Sequence, residues 1–389
     1  MNTEQRLEAL QTLITQIREK EFPYEERPEK KTDWSLYDLA QCSELGDMLL
    51  LIGRIVDVAA SRLNTGALSN TKNPGRPAIS VSDVVKVLLA QTYFGFSNRR
   101  SEGLVRVAYG PLGLCREFSY KTIERGYDPW RTGELLDVVM SLTNEPVRRL
   151  ENIFGIDGTG QPTSIKQNYE NDRRLQRTKK EGQSSVSDKW PASQHRTKHG
   201  YVYGVGIIGT VSKIYAAWKS NTDRSKGELR FFKELIQKAS VNRPVMDTLA
   251  GDGLYATRKF CQACDERGIV PITLPRRNVT LRRKGVYAWV EMLLFMLDSP
   301  QEYLEQYHLR SISETGNSML VAYYPQPIRK RFNERKELES DLRIVVHNIR
   351  RLCALAYLVN LQLKFNAQME MEDDRIRGSG FELAPMEIG

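Results

Sequence analysis

Asn152-Ile153-Phe154-Gly155-Ile156-Asp157-Gly158-Thr159-Gly160 is the stretch that decides how this chain is read. An apolar run ends in a carboxylate and then in glycines, the pattern of a buried strand that closes in a turn. A carboxylate delivered by a buried strand needs a partner, and a metal ion is one of the few that serve. Asp and Gly also favour plain turns, so this stretch alone leaves both readings open. Carboxylates further along the chain decide between them.

The 389 residues, 40% hydrophobic and 27% charged, suffice for two or three domains with a sizeable core. The net charge of +9 is clustered, which suits a polyanionic partner. The opening residues do not read as a signal peptide. The most apolar segment, Gly285 to Leu297, is too short to cross a bilayer and is interrupted by Glu291. No membrane partner and a cytoplasmic, nucleoid-associated location are therefore expected. Cys42, Cys115, Cys261, Cys264 and Cys353 are odd in number and scattered, which argues for a reducing interior and against a disulfide framework. Cys261 and Cys264 lack the second pair that a zinc site needs, and read as small hydrophobes on one helix face. His195 and His199 sit in a polar, basic loop, which does not favour a metal site.

Taken in order, residues 1–20 place Leu7, Leu10, Leu13, Ile14 and Ile17 at helical spacing, for intramolecular packing or a dimer contact. Phe22 to Asp33 reads as a linker, Asp47 to Leu63 as a helix, and Asn64 to Pro77 as a loop. Ser82 is positioned to cap a helix Asp83–Phe94 ending at Gly95, and Ser97 to open a second, Asn98–Ala108. Ser119–Arg125 follows a tight turn. Three short helices in this arrangement suit a helix-turn-helix module in which Ser119, Lys121 and Arg125 lie on the recognition helix; a plain helical bundle produces the same pattern. Thr132–Leu150 is a further helix. These choices divide the chain into N-terminal helices and linker (1–78), a DNA-binding module (79–150), an α/β core (151–365) and a disordered tail (366–389).

Within the core, the loop 167–199 is polar and basic, carrying Arg173, Arg174, Lys179 and Lys180 among others. Gly200–Ile208 and Val211–Lys219 alternate as a hairpin. Ser225-Lys226-Gly227-Glu228 matches a capping box, which assigns Glu228 to opening the helix Glu228–Ala239 and not to chemistry. Asp252 repeats the logic of Asp157, ending a short apolar stretch between Gly251 and Gly253. Pro275 to Lys284 carries Arg276, Arg277, Arg282, Arg283 and Lys284 without an acid. Tyr303 to Tyr324 reads as one helix with Tyr307, Arg310 and Glu314 on one face. A basic segment, Arg329 to Arg351, precedes a last apolar helix around Leu352–Leu363.

Two strand-end carboxylates and one helical carboxylate can converge on two divalent ions, the arrangement that clamps both oxygens of an in-line phosphoryl displacement. Oxygen ligands suit Mg²⁺ or Mn²⁺. In this order, Ile156-Asp157-Gly158-Thr159-Gly160, Gly251-Asp252-Gly253-Leu254-Tyr255 and Tyr307-x2-Arg310-x3-Glu314 resemble the DDE transposases of bacterial and archaeal insertion sequences. The last matches that family's Y-x2-R-x3-E-x6-K signature up to its lysine, and His347-Asn348-Ile349-Arg350 resembles its closing helix. The resemblance covers roughly Val81 to Leu363.

It implies a ribonuclease H-like mixed sheet flanked by helices, with an N-terminal all-helical DNA-binding module. It implies Asp157, Asp252 and Glu314 as catalytic metal ligands for two Mg²⁺ or Mn²⁺ ions, with Tyr307 and Arg310 positioning Glu314 or contacting DNA. Double-stranded DNA, as element ends and target, is the implied partner, held by a homodimer or larger synaptic complex. Arg173, Arg174, Lys179, Lys180, Arg276 and Arg277 are expected on phosphates, as charge without aromatic interleaving suits backbone contact. Val321 stands where the signature has lysine; Arg329, Lys330 and Arg331 are the cations expected to replace it. Two rivals remain: a catalytically inert DNA-binding relative, and a metal-dependent nuclease that cuts without joining.

Overall fold

Alternating apolar residues in a mostly buried segment make Tyr201–Gly209 (β2) an inner strand of a five-stranded sheet. A computed structural model describes residues 2–25, 32–63, 78–164, 200–223 and 225–365. The remaining strands are Ile153–Pro162 (β1), Tyr215–Asn221 (β3), Thr248–Gly251 (β4) and Val270–Thr273 (β5). The order across the sheet is β3-β2-β1-β4-β5. β1 runs antiparallel to β2 and parallel to β4, and β5 extends the parallel half. The fold is thus α/β with a mixed sheet.

Helices cover both faces, and they are numbered here in chain order: α1 Thr3–Glu19, α2 Trp34–Arg62, α3 Val81–Phe94, α4 Asn98–Val107, α5 Tyr120–Arg125, α6 Pro129–Leu142, α7 Phe232–Asn242, α8 Arg258–Asp265, α9 Tyr287–Asp298, α10 Pro300–His308, α11 Ser311–Tyr323 and α12 Asn333–Leu358. Side chains of a strand alternate between faces. Phe154, Ile156, Val205 and Ile207 accordingly pack under α7 and α8, against Phe232, Leu235, Ile236 and Phe260. Each such buried side chain contributes about 1.5–3 kcal/mol. On the opposite face Ile208, Tyr215 and Trp218 share a core with Ile52, Leu88, Leu136, Leu342 and Ile349, from α2, α3, α6 and α12. The N-terminal helices and the sheet therefore bury one continuous set of side chains. α1 packs intramolecularly: Leu10, Leu13 and Ile14 meet Trp289, Leu293 and Met296 of α9 beside Ile272.

Several boundaries depart from the sequence reading. β1 does not turn after Asp157; it continues to Pro162, paired residue for residue with β2. At Gly158 the Glu228 carboxyl group occupies the space of the missing Cβ, and at Gly160 the Tyr201 ring comes within 3.2 Å of it. Ser80, not Ser82, caps α3. The helix expected to reach Leu150 stops at Leu142, where Thr143 and Asn144 turn their side chains back onto the Met140 carbonyl. The helix expected over Tyr303–Tyr324 breaks at Leu309-Arg310, since α10 packs against β4 and β5 while α11 packs against β1 and β2. From Asn333 the basic segment and the last apolar helix are one element, α12, which ends at Leu358. Cys261 and Cys264 are both buried on α8, and burial pushes the Cys261 thiol up to about 12. Among the described residues, no helix is long and apolar enough to cross a membrane.

Candidate carboxylate site on the central strand

β4 pairs with β1 only as far as Ile156↔Gly251. Beyond that point the β4-side edge of β1 is left open, and the next residue on each strand is an aspartate: Asp157 in mid-β1 and Asp252 just past β4. Both are partly exposed. The Asp252 carboxylate accepts the Leu254 N–H at 2.8 Å, which fixes the turn leaving the strand.

Glu314 comes from α11, which lies close on the sheet. A side chain at Gly316 would collide with Ile208, and one at Gly155 would press on Ser313. That close approach puts Asn317, one turn after Glu314, within reach of the strand: its Nδ2 donates to Asp157 Oδ2 at 2.9 Å. The Tyr215 hydroxyl donates to Asn317 Oδ1 at 2.9 Å. α12 secures the hairpin that carries Tyr215, through Asn348, which accepts the Tyr215 N–H at 2.8 Å and donates to its carbonyl at 2.9 Å. His347 Nε2 adds a 2.8 Å bond to the Lys213 carbonyl, and burial holds that imidazole neutral, down to about 3.

Burial raises the Asp157 pKa, and the charges of Asp252 and Glu314 raise it further. Asp157 thus lies within electrostatic reach of both other acids. Among the described residues, however, no three His, Cys, Asp or Glu side chains stand close enough to enclose an ion. Glu314 is instead held by Arg310, Nη1 to Oε1, at 2.7 Å. The Arg310 guanidinium lies 5.4 Å from the Tyr307 ring centre, so Tyr307, Arg310 and Glu314 are in contact although the helix breaks between them. By donor type the carboxylates suit a hard cation.

Glu228 is misplaced by sequence reasoning. The capping box does not form: the Ser225 hydroxyl donates to Asp223, and Glu228 opens a 3₁₀ turn, Glu228–Arg230, without a side-chain cap. Its carboxyl group instead lies directly over Gly158, in the space a Cβ there would take. Its Oε2 is 3.5 Å from the Tyr255 hydroxyl. Burial raises its pKa, with Asp157 and Asp252 adding to the effect. Asn317 was legible only as the residue one turn past Glu314.

The other expected residues scatter. Lys121 and Arg125 are exposed on the six-residue α5, where Ile123 is the buried anchor. Ser119 is exposed at its N-cap without a capping bond. Arg276 is exposed, while Arg277 pairs with Glu19 of α1 at 3.0 Å. Their loop is tied to the body through the Val279 carbonyl, which accepts from Gln11, and the Arg282 carbonyl, which accepts from Arg258. Arg173, Arg174, Lys179 and Lys180 lie outside the described residues. Val321 is 60% exposed, so it does not pack into the core. Lys330 is not available to replace a lysine there: its Nζ lies 3.3 Å from the Tyr127 ring centre and 3.2 Å from Asn98 Oδ1. Burial lowers its pKa to about 8.

No family model matches the chain. No solved structure matches it. The chain is similar to the probable transposase for insertion sequence element ISA1214 of Archaeoglobus fulgidus, with 26% identity over 281 residues, covering 72% of this chain and 77% of that relative.

Proposed function

We propose that this chain is a DDE transposase of an insertion sequence, cutting double-stranded DNA at element ends and joining the freed 3′-hydroxyl to a target. The observation that carries this reading is the placing of Asp157 and Asp252 one residue past the last β1–β4 pair, with Glu314 on the helix whose Asn317 bonds Asp157. The strand order β3-β2-β1-β4-β5 supports a ribonuclease H-like core around them. The similarity to a probable insertion-sequence transposase supports the substrate class.

In this reading Asp157, Asp252 and Glu314 would hold Mg²⁺ or Mn²⁺. Bound ions would supply Lewis-acid stabilisation of the attacking and leaving oxygens at the phosphate. The protein's own part is orientation. Asn317 fixes the rotamer of Asp157, and Tyr215 fixes Asn317. Arg310, once released from Glu314, presents a guanidinium beside the site, a fork suited to two phosphate oxygens. Exposed Arg276, Arg282, Arg283 and Lys284 offer charge for the DNA backbone.

A second reading, a DNA-binding relative without activity, is favoured by Val321 together with the commitment of Lys330 to Tyr127. Duplex DNA bearing the gene's flanking sequence, labelled at the 3′ end and incubated with enzyme and Mg²⁺, separates the possibilities. Cutting with joining to a second duplex is the expected result. Cutting alone would mean a nuclease, and binding without cutting would mean the inert relative.

A further inference from the structure

The parallel half of the sheet stops pairing along one row. β1 and β4 last pair at Ile156↔Gly251, and β4 and β5 at Gly251↔Thr273. The next residues across that row are Asp157, Asp252 and Leu274. Leu274 opens the stretch that carries Arg276 and, further on, Arg282, Arg283 and Lys284, all exposed. An acid and a basic loop thus leave the sheet side by side, where the ladder that aligned their strands has ended.

Arg18 of α1 ties the two together. Its Nη2 donates to the Leu274 carbonyl at 3.2 Å and to the Pro275 carbonyl at 2.7 Å, and its Nε donates to the Pro275 carbonyl at 3.2 Å. Gly253, the residue after Asp252, lies against the same groups. A Cβ there would stand 3.2 Å from the Leu274 oxygen and 3.7 Å from Arg18 Nη2. The Asp252 carboxylate is in turn fixed by the Leu254 N–H. Burial of α1 aims the guanidinium at this place. Ile14, one helical turn before Arg18, is buried beside Ile272 and Leu293, and residues four apart share a helix face. Gln11 and Glu19 of the same helix hold the Val279 carbonyl and Arg277 further along the loop.

We propose that Arg18 is a positioning residue for Asp252: by holding the Leu274 and Pro275 carbonyls against the turn at Gly253, it sets the acid and the basic loop in one register toward DNA. This rests on the reading of Asp252 as a residue of the cleavage site. Arg18 acts through main-chain groups and not by touching substrate. The ordinary alternative is a cation in the last turn of α1, favourable there with the helix dipole. That role asks nothing of Gly253.

Peptide-resolved amide hydrogen exchange of the full chain without DNA, paired with single-turnover cleavage of the gene's flanking duplex at saturating enzyme, tests the assignment. In Arg18→Ala the segment 252–255 should exchange about tenfold faster, the effect of losing one or two hydrogen bonds. The saturated cleavage rate should fall about 10–100-fold, as a small misplacement of a reacting group does, with a smaller change in DNA affinity. Gly253→Ala, which leaves α1 whole and presses on the Leu274 carbonyl, should move both readouts in the same direction. Arg18→Lys, which keeps the charge but gives up the fork, should fall between the parent and Arg18→Ala. If Arg18→Ala melts lower while exchange at 252–255 and the saturated rate match the parent, Arg18 only anchors α1 and the inference is wrong. If exchange at 252–255 rises but Asp252→Asn cuts at the parent's rate, the reading of the site has failed, and Arg18 positions nothing for cleavage.

Discussion

Asn317 donates from α11 to the Asp157 carboxylate at 2.9 Å, and so joins the helix that carries Glu314 to the strand that carries Asp157. The bond fixes the relative position of two acids that are 157 residues apart in the chain. Asn317→Ala removes it and frees the Asp157 rotamer. The expected result is a loss of cleavage of about 10–100-fold, the usual range for a residue that orients a metal ligand, with DNA affinity unchanged. Asn317→Asp should be worse, because it adds a charge beside an already repelled carboxylate. Single-turnover cleavage at saturating enzyme measures both. Normal rates in Asn317→Ala would mean that the bond positions nothing of consequence.

Arg243 is buried under the entry to β1, against Glu151 at 3.4 Å and Asn144 at 2.9 Å, with the Val147 carbonyl also accepting from it. Glu151 is equally buried and accepts from Ser212 as well. Arg243→Met should cost about 3–5 kcal/mol, because it leaves a buried carboxylate without its cation. Glu151→Gln in the same chain should recover part of that loss. Urea unfolding of the parent and both variants checks it; additive effects would mean the two side chains are not coupled.

Asp341 on α12 accepts the Ser220 hydroxyl at 2.5 Å, and burial pushes its pKa up to about 7. A free aspartate titrates near about 3.9. Between those values the folded protein holds a proton that the unfolded chain has released, so this group's stabilisation is lost as pH rises from about 4 through 7. Asp341→Asn cannot lose it. Melting temperatures should therefore favour the variant increasingly from pH 5 to pH 8. A constant difference across that range would contradict the raised pKa.

Much of this fold is written locally. The alternation of 201–209, the Gly95 helix stop and the spacing of Leu10, Leu13 and Ile14 each specify an element through residues close in sequence. Asp157, Asp252 and Glu314 stand out in the sequence because each carries a local signature. The placement of Glu228 was not legible, since it lies over Gly158, 70 residues earlier, and Ser225-x-x-Glu228 matched a stronger local pattern. The break at Leu309-Arg310 was hidden for the same reason: neither residue forbids helix, and only packing on different strands splits it. The glycines of β1 read as a turn because their tertiary neighbours, Glu228, Tyr201 and Tyr203, are absent from a local window.

The central claim is that Asp157, Asp252 and Glu314 act together. The measurement that tests it most directly is the rate of Mg²⁺-dependent cleavage of end-labelled duplex by Asp157→Asn, Asp252→Asn and Glu314→Gln, each at matched DNA occupancy. Metal-assisted stabilisation is worth several kcal/mol, so each variant should lose about 10²–10⁴-fold in rate while binding DNA as the parent does. A variant that cuts at near the parent's rate would remove that residue from the site, and the account of the open edge of β1 would be wrong.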